Sequence, residues 1–352
     1  MMNDIMTRRV PVRLLLVMMA MLLYVAVVSS IALGPMDIGF MASMKALMPL
    51  DVLSHVELPN YATVIIQQVR LPRTLLAIAI GGILAICGTV MQGLFRNPLA
   101  DPGIIGVSAG ASLGAAIAIV VFGGMIENTV LLTLGTVPVF AFIGGAVATF
   151  AIYYLGTSQQ GTSVTIMLLA GVALGAMAGA ALGLLNYFAD DQALRDLSLW
   201  TMGSLAGASW DAIVLAYVSL AILAVCYQRQ AKALNALLLG EAEARHLGID
   251  VQRLKRNLIL LTAAGVGITV ALSGMIGFIG LVIPHIGRML IGPDHRSLLP
   301  VSLVLGGFVL LVADMIARTV VAPLEIPVGI ITAAIGAPFF LSLLLKQRGR
   351  LA

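Results

Sequence analysis

Few side chains in this sequence can do chemistry, and their spacing limits what that chemistry is. Asp314 and Arg318 stand four residues apart, an order that favours an ion pair on one helix face. His285 and Arg288 are three apart, and Arg70 and Arg73 flank Pro72. Gly106-Val-Ser-Ala-Gly110 has the letters of a nucleophile elbow, which works only at a strand-to-helix turn with spaced acid and histidine partners. This stretch falls where helix is predicted, which disfavours hydrolase chemistry. The sequence contains no G-x-x-x-x-G-K-[ST] phosphate loop, no H-E-x-x-H and no C-x-x-C. It therefore lacks an ATP, zinc-protease or dithiol signature of its own. Cys87 and Cys226 both sit in apolar runs, where neither a disulfide framework nor a metal site is favoured.

The elements that must carry these residues follow from composition. Of 352 residues, 60% are hydrophobic and 10% charged, against about 25% charged in soluble chains. The mean hydropathy is +1.07. A spanning helix takes roughly 20 apolar residues. The sequence predicts an all-α polytopic membrane protein, one transmembrane domain over 1–352, with about ten spans at 12–33, 70–95, 103–123, 131–155, 164–188, 209–228, 256–273, 276–291, 300–321 and 326–345. Gly274, Gly277, Gly280 and Pro284 argue for a break between the seventh and eighth spans. The net charge of +4 is spread thinly and gives no nucleic-acid signature. Arg8, Arg9 and Arg13 before the first apolar run mimic a signal peptide. That run is too long and lacks a clean cleavage site, which favours an uncleaved first helix.

An even number of spans puts both termini on one side. With the termini cytoplasmic, the outer side holds only Lys45, Arg70, Arg73, Arg195 and Arg318 of the 20 basic residues, as the positive-inside rule requires. Arg70 and Arg73 run against that bias at a predicted helix start, where the helix dipole disfavours them. Membrane-embedded ionisable groups mark function by default, but no span carries a central Asp, Glu or His. That absence counts against a proton-driven transporter working alone.

Glycines recur at four-residue steps as Gly106, Gly110 and Gly114, and again as Gly171, Gly175, Gly179 and Gly183. Close helix packing is the favoured reading, with a passage-lining face as the alternative. Arg96-Asn-Pro-Leu-Ala-Asp-Pro102 places two prolines at the junction of the second and third spans, which predicts a turn at the inner membrane face. Segment 34–69 predicts short interfacial or re-entrant pieces outside. The basic inner segment 229–255 reads either as a solvated connector or as a docking element. Leu234, Leu237, Leu238 and Leu247 would form its apolar stripe around a Gly turn.

Taken together, these motifs are familiar. Arg70-Leu-Pro-Arg-Thr74, Gly88-Thr-Val-Met-Gln-Gly93, Arg96 through Gly110, Leu169-Ala-Gly-Val-Ala-Leu174 and Trp200-Thr-Met-Gly-Ser204 occur in order. So do Leu239 through Gly248, Gly277 through His285, Asp314-Met-Ile-Ala-Arg318, Glu325-Ile-Pro-Val-Gly329 and Gly336-Ala-Pro-Phe339. From about residue 60 to 345 the chain closely resembles the FecCD-type permeases of iron-siderophore, haem and cobalamin ABC importers.

That resemblance implies a type II importer fold: a homodimer of ten-helix subunits with the path between them. Two separate ABC ATPase subunits would use the ATP, this chain binding no cofactor or metal itself, and a periplasmic binding protein would deliver the ligand. It further implies binding-protein docking at Arg70, Arg73 and Arg318. ATPase coupling would fall to Leu239, Gly240, Glu241, Ala244, Arg245, Leu247 and Gly248, and a cytoplasmic gate to Asn97, Leu99, Thr162 and Ser163. Location in the inner membrane follows. Asp190 through Leu205, with Phe95 to Pro98, look most like haem-importing members, with ferric siderophore and then cobalamin as alternative cargoes.

Overall fold

The computed structural model describes residues 11–36, 38–47, 59, 61–126, 131–159 and 161–348. Helices dominate: α1 (Val12–Ala32), α2 (Phe40–Leu47), α3 (Ala62–Leu94), α4 (Val107–Val121), α5 (Val137–Gly156), α6 (Val164–Phe188) and α7 (Asp191–Met202). They continue as α8 (Trp210–Leu239), α9 (Glu241–His246), α10 (Val251–Ser273), α11 (Ile279–Ile291), α12 (His295–Thr319) and α13 (Val328–Arg348). Among the described residues, seven helices are long and apolar enough to span a membrane, and α4, α11 and α13 carry shorter apolar stretches. These are the ten elements that the hydropathy predicts.

At the centre stands α3, buried along almost its whole length from Pro72 to Leu94. Its neighbours approach through glycine. A Cβ on Gly81 would meet the Gly306 carbonyl of α12, and one on Gly88 would meet the Gly280 backbone of α11. The pair α4 and α5 is built the same way, with Gly110 facing the Gly144 carbonyl and Gly114 facing that of Phe140. Missing side chains let backbones touch, and van der Waals contact is what joins helices in lipid.

Pro72 has no N–H to give to the turn before it. The helix absorbs this with a π-helical stretch, Ile65–Arg70, immediately upstream. Thus α3 begins at Ala62, well before the predicted start at 70, and neither Arg70 nor Arg73 is at a helix start. The predicted break is present: α10 ends at Ser273, Gly274 takes φ +66°, and α11 starts at Ile279. Between α5 and α6 lies a two-stranded antiparallel hairpin, β1 (Thr157–Ser158) and β2 (Gly161–Thr162), pairing Thr157 with Thr162.

The segment 229–255 is not the loop that the charges suggest. Residues 229–239 prolong α8, because no helix breaker occurs before Gly240. Of the leucines assigned to one stripe, Leu234 and Leu237 are buried while Leu238 and Leu247 are exposed, so they belong to opposite faces.

Candidate functional site

Toward the N-terminal end of α3 and the C-terminal end of α12, the side predicted to face outward, Asp314 organises a buried charge cluster. Arg73 donates Nε to both Asp314 oxygens, at 2.9 and 3.1 Å, and Nη1 to Glu325 Oε2 at 2.6 Å. Arg318 lies one turn beyond Asp314, with 3.6 Å between Nε and Oδ2. Its Nη2 donates instead to the carbonyl and hydroxyl of Ser30, at 2.7 and 2.6 Å. Ser30 in turn shares a 2.6 Å hydrogen bond with Thr74.

Arg70 donates Nη1 to the Ile31 and Ala32 carbonyls, at 2.9 and 2.8 Å, and Nη2 to the Met36 carbonyl. The last carbonyls of a helix have no partner within it and carry the negative end of its dipole. Arg70 and Arg318 therefore cap the C-terminus of α1, and for Arg70 the expected dipole cost becomes a gain. The resemblance led us to expect three guanidiniums offered to the outside. All three are buried instead, since each finds acceptors inside the subunit. Exposed Glu325, its side chain 37% accessible, is the member of the cluster nearest solvent.

The opposite end carries the residues that the resemblance assigns to ATPase coupling. Gly240, at φ +131°, joins α8 to α9, a conformation that glycine reaches without a Cβ penalty. Leu239 is 68% exposed and Leu247 65%, and Arg245 and Gly248 are exposed with them. Gly240 and Ala244 point the other way and are buried. Glu241 divides its carboxylate between Lys255, at 2.7 Å, and Arg245, at 3.6 Å.

The four residues that the resemblance assigns to a gate fall into two groups within the subunit. Asn97 is exposed, its carboxamide accepting the Leu99 N–H at 2.9 Å. Leu99 lines a small crevice with Pro98, Leu281, His285 and Phe339. His285 packs edge-to-face on Phe339, at 6.2 Å between ring centroids. Thr162 instead joins α10: its N–H donates to Gln252 Oε1 at 2.8 Å and its carbonyl accepts from Lys255 Nζ at 2.9 Å. Ser163 caps α6, its hydroxyl accepting the Ile166 N–H at 3.4 Å.

Past the exposed turn at residues 96–98, the chain folds back along α3. Pro102 reaches Gly280, and Asp101 lines a cavity of about 380 Å³ with Leu84, Val266, Met275 and Gly329. Leu84 lies roughly 15 Å up the helix from its inner end, at 1.5 Å per residue. Asp101 caps the short turn Pro102–Ile105 by accepting the Gly103 N–H at 2.7 Å.

The two glycine rows part company as well. Gly110 and Gly114 are packing glycines, and Gly171 meets the Ile104 carbonyl. A Cβ on Gly175, Gly179 or Gly183 would meet nothing within 4 Å. Of α6, only Met167 is buried, so this face is left bare by its own subunit.

Residues 22–346 match the FecCD transport family. The chain belongs to that family. It is 44% identical, over 345 residues, to a hemin transport system permease protein of Yersinia pestis, covering 97% of this chain and 98% of that one. Over 292 residues it is 41% identical to a cobalamin import system permease protein of Halobacterium salinarum, covering 83% and 76%. A metal-chelate-type ABC transporter solved in an inward-facing conformation superposes with a TM-score of 0.81 at 33% identity, covering 95% of this chain and 99% of that one. A FecCD member is a multi-pass permease, as the ten apolar elements require. Sequence reasoning passed over Ser30, Gln252, Lys255 and Glu325 as partners. Arg73 and Glu325 lie 252 residues apart, a distance at which spacing carries no signal.

Proposed function

We propose that this chain is the membrane-spanning subunit of an ATP-driven importer that carries haem across the inner membrane. It would work as a homodimer on two ABC ATPase subunits, with haem arriving from a periplasmic binding protein and both termini in the cytoplasm. The carrying observation is the turn at Gly240. Leu239, the last residue of a 30-residue helix, and Leu247 beyond it stand bare with Arg245, where an apolar surface calls for a protein partner. The uncovered Gly175–Gly183 face of α6 supports a second copy of the chain, with the path between the two.

Haem is favoured over ferric siderophore and cobalamin by the hemin permease relative, which matches nearly end to end. Docking of the binding protein is placed at the outer cluster. There, three arginines against Asp314 and Glu325 leave one positive charge in surplus, which suits an acidic partner. The test is expression with the neighbouring ATPase and binding protein, purification in mild detergent and reconstitution into liposomes. Copurifying ATPase and ATP-dependent haem uptake support the proposal. Uptake of cobalamin or a ferric siderophore in place of haem overturns the cargo assignment, and failure to recover an ATPase overturns the subunit assignment.

A further inference from the structure

Lys255 links the inner turn to the hairpin at the foot of α6. Its side chain is 3% exposed and its ammonium makes two contacts across elements. One is to Glu241 Oε1 at 2.7 Å, at the first residue of α9. The other is to the Thr162 carbonyl at 2.9 Å, in β2. Gln252, one turn earlier on α10, accepts the Thr162 N–H at 2.8 Å. Both backbone groups of Thr162 are thus held by α10. The next residue, Ser163, caps α6, whose glycine face the subunit leaves bare.

We infer that Lys255 and Gln252 are positioning residues that transmit displacement of α9 to the start of α6, so that the hairpin moves with the ATPase-facing turn. This rests on the permease reading above and adds to it the route by which the inner turn acts on the path. The chemistry suits the task. A buried ammonium needs its acceptors, because a bare charge away from water is costly. If α9 shifts, Lys255 must follow Glu241 or lose it, and either way its hold on Thr162 changes. Gln252 fixes the other side of the same peptide, so Thr162 cannot rotate freely in place. Neither residue belongs to the exposed surface of Leu239, Arg245 and Leu247, so removing them leaves that surface intact.

The experiment uses the whole transporter in liposomes, with haem as cargo and the variants Lys255→Met, Gln252→Leu and the two combined. Two quantities are read: haem imported per ATP hydrolysed, and the ATP-driven change in distance between spin labels at exposed Ala242 of α9 and at Val164. The expected result is normal recovery of the ATPase with import per ATP reduced about tenfold, within the usual range of coupling between sites. The label distance should no longer respond to ATP in the combined variant. Gln252→Leu keeps the Lys255–Glu241 pair, so it reports on the link even where Lys255→Met fails to fold. Unchanged import per ATP and an unchanged distance response, with ATPase bound, overturn the link while leaving the permease reading standing. Failure of the unsubstituted chain to recover an ATPase overturns both.

Discussion

Arg73 grips Asp314 through both carboxylate oxygens, at 2.9 and 3.1 Å, across 241 residues of sequence. Arg318, the helical neighbour that spacing nominates, stays at 3.6 Å. One buried carboxylate therefore serves two guanidiniums, and removing its charge leaves Arg318 with only the neutral Ser30 acceptors and Arg73 with Glu325 alone. Breaking a buried pair by deleting one partner costs about 3–5 kcal/mol. Asp314→Asn should lower unfolding stability in detergent by that order. In a double-mutant cycle with Arg73→Met, the pair should lose less than the sum of the single losses. Strict additivity would show that the two residues do not interact.

The glycines divide by what a Cβ would meet. At Gly88 it meets the Gly280 backbone, which has no rotamer to relieve the clash, whereas at Gly179 it meets nothing within 4 Å. Gly88→Val should abolish recovery of folded chain in a size-exclusion profile. Gly179→Ala should leave subunit stability within about 0.5 kcal/mol, as for substitutions away from packed features, while weakening the proposed dimer in a size-exclusion profile. Recovery of Gly88→Val at the unsubstituted yield would remove the argument for a tight α3–α11 crossing.

Local signals made the helices legible. Apolar runs bounded by breakers gave all ten apolar elements, and Gly274 announced the broken pair α10 and α11. The boundary at Arg70 was missed because Pro72 resembles a helix start, while the π-helical turn that tolerates it has no compositional mark. The site was legible as residues but not as geometry. Arg70, Arg73 and Arg318 stood out by charge on the sparse outer side. Their burial depends on the end of α1 lying beside them, and no spacing reports that contact. The turn after Leu94 was misjudged for a related reason, since two prolines announce a turn without saying how deeply it re-enters.

Asp294, at the start of α12, offers a pH-dependent check. It caps α12, its Oδ1 accepting the Arg296 N–H at 3.0 Å and the Asn235 amide at 2.6 Å. Burial pushes its carboxyl upward, but Asn235, the Arg296 N–H and the nearby positive charges outweigh it and hold the carboxyl below the usual range. A lowered folded value means that this stabilisation is fully present above the ordinary carboxylate value of about 3.9 and is lost as pH falls through the folded one. Asp294→Ala should cost about 1 kcal/mol at neutral pH, a typical cap loss. That difference should vanish in acid. A loss that persists undiminished at low pH would assign it to packing instead.

Glu325 gives the sharpest test of docking at the outer cluster. It is the exposed member, bonded to Arg73 at 2.6 Å, and it masks charge that an acidic partner would meet. Arg70→Glu or Arg73→Glu would weaken docking, but it would also strip buried acceptors of their donor, so affinity and stability would fall together. Glu325→Gln separates the two effects. It keeps an amide oxygen for Arg73 and raises the surplus of the cluster from one positive charge to two. If carboxylates on the binding protein meet this face, Glu325→Gln should speed association and tighten binding several-fold at low salt. The gain should shrink once ionic strength brings the screening length down to about 3 Å, near 1 M. Surface plasmon resonance at two salt concentrations reads both rates. Weaker binding in Glu325→Gln at low salt would mean that the binding protein meets Glu325 with a cation, and the docking polarity proposed here would be reversed.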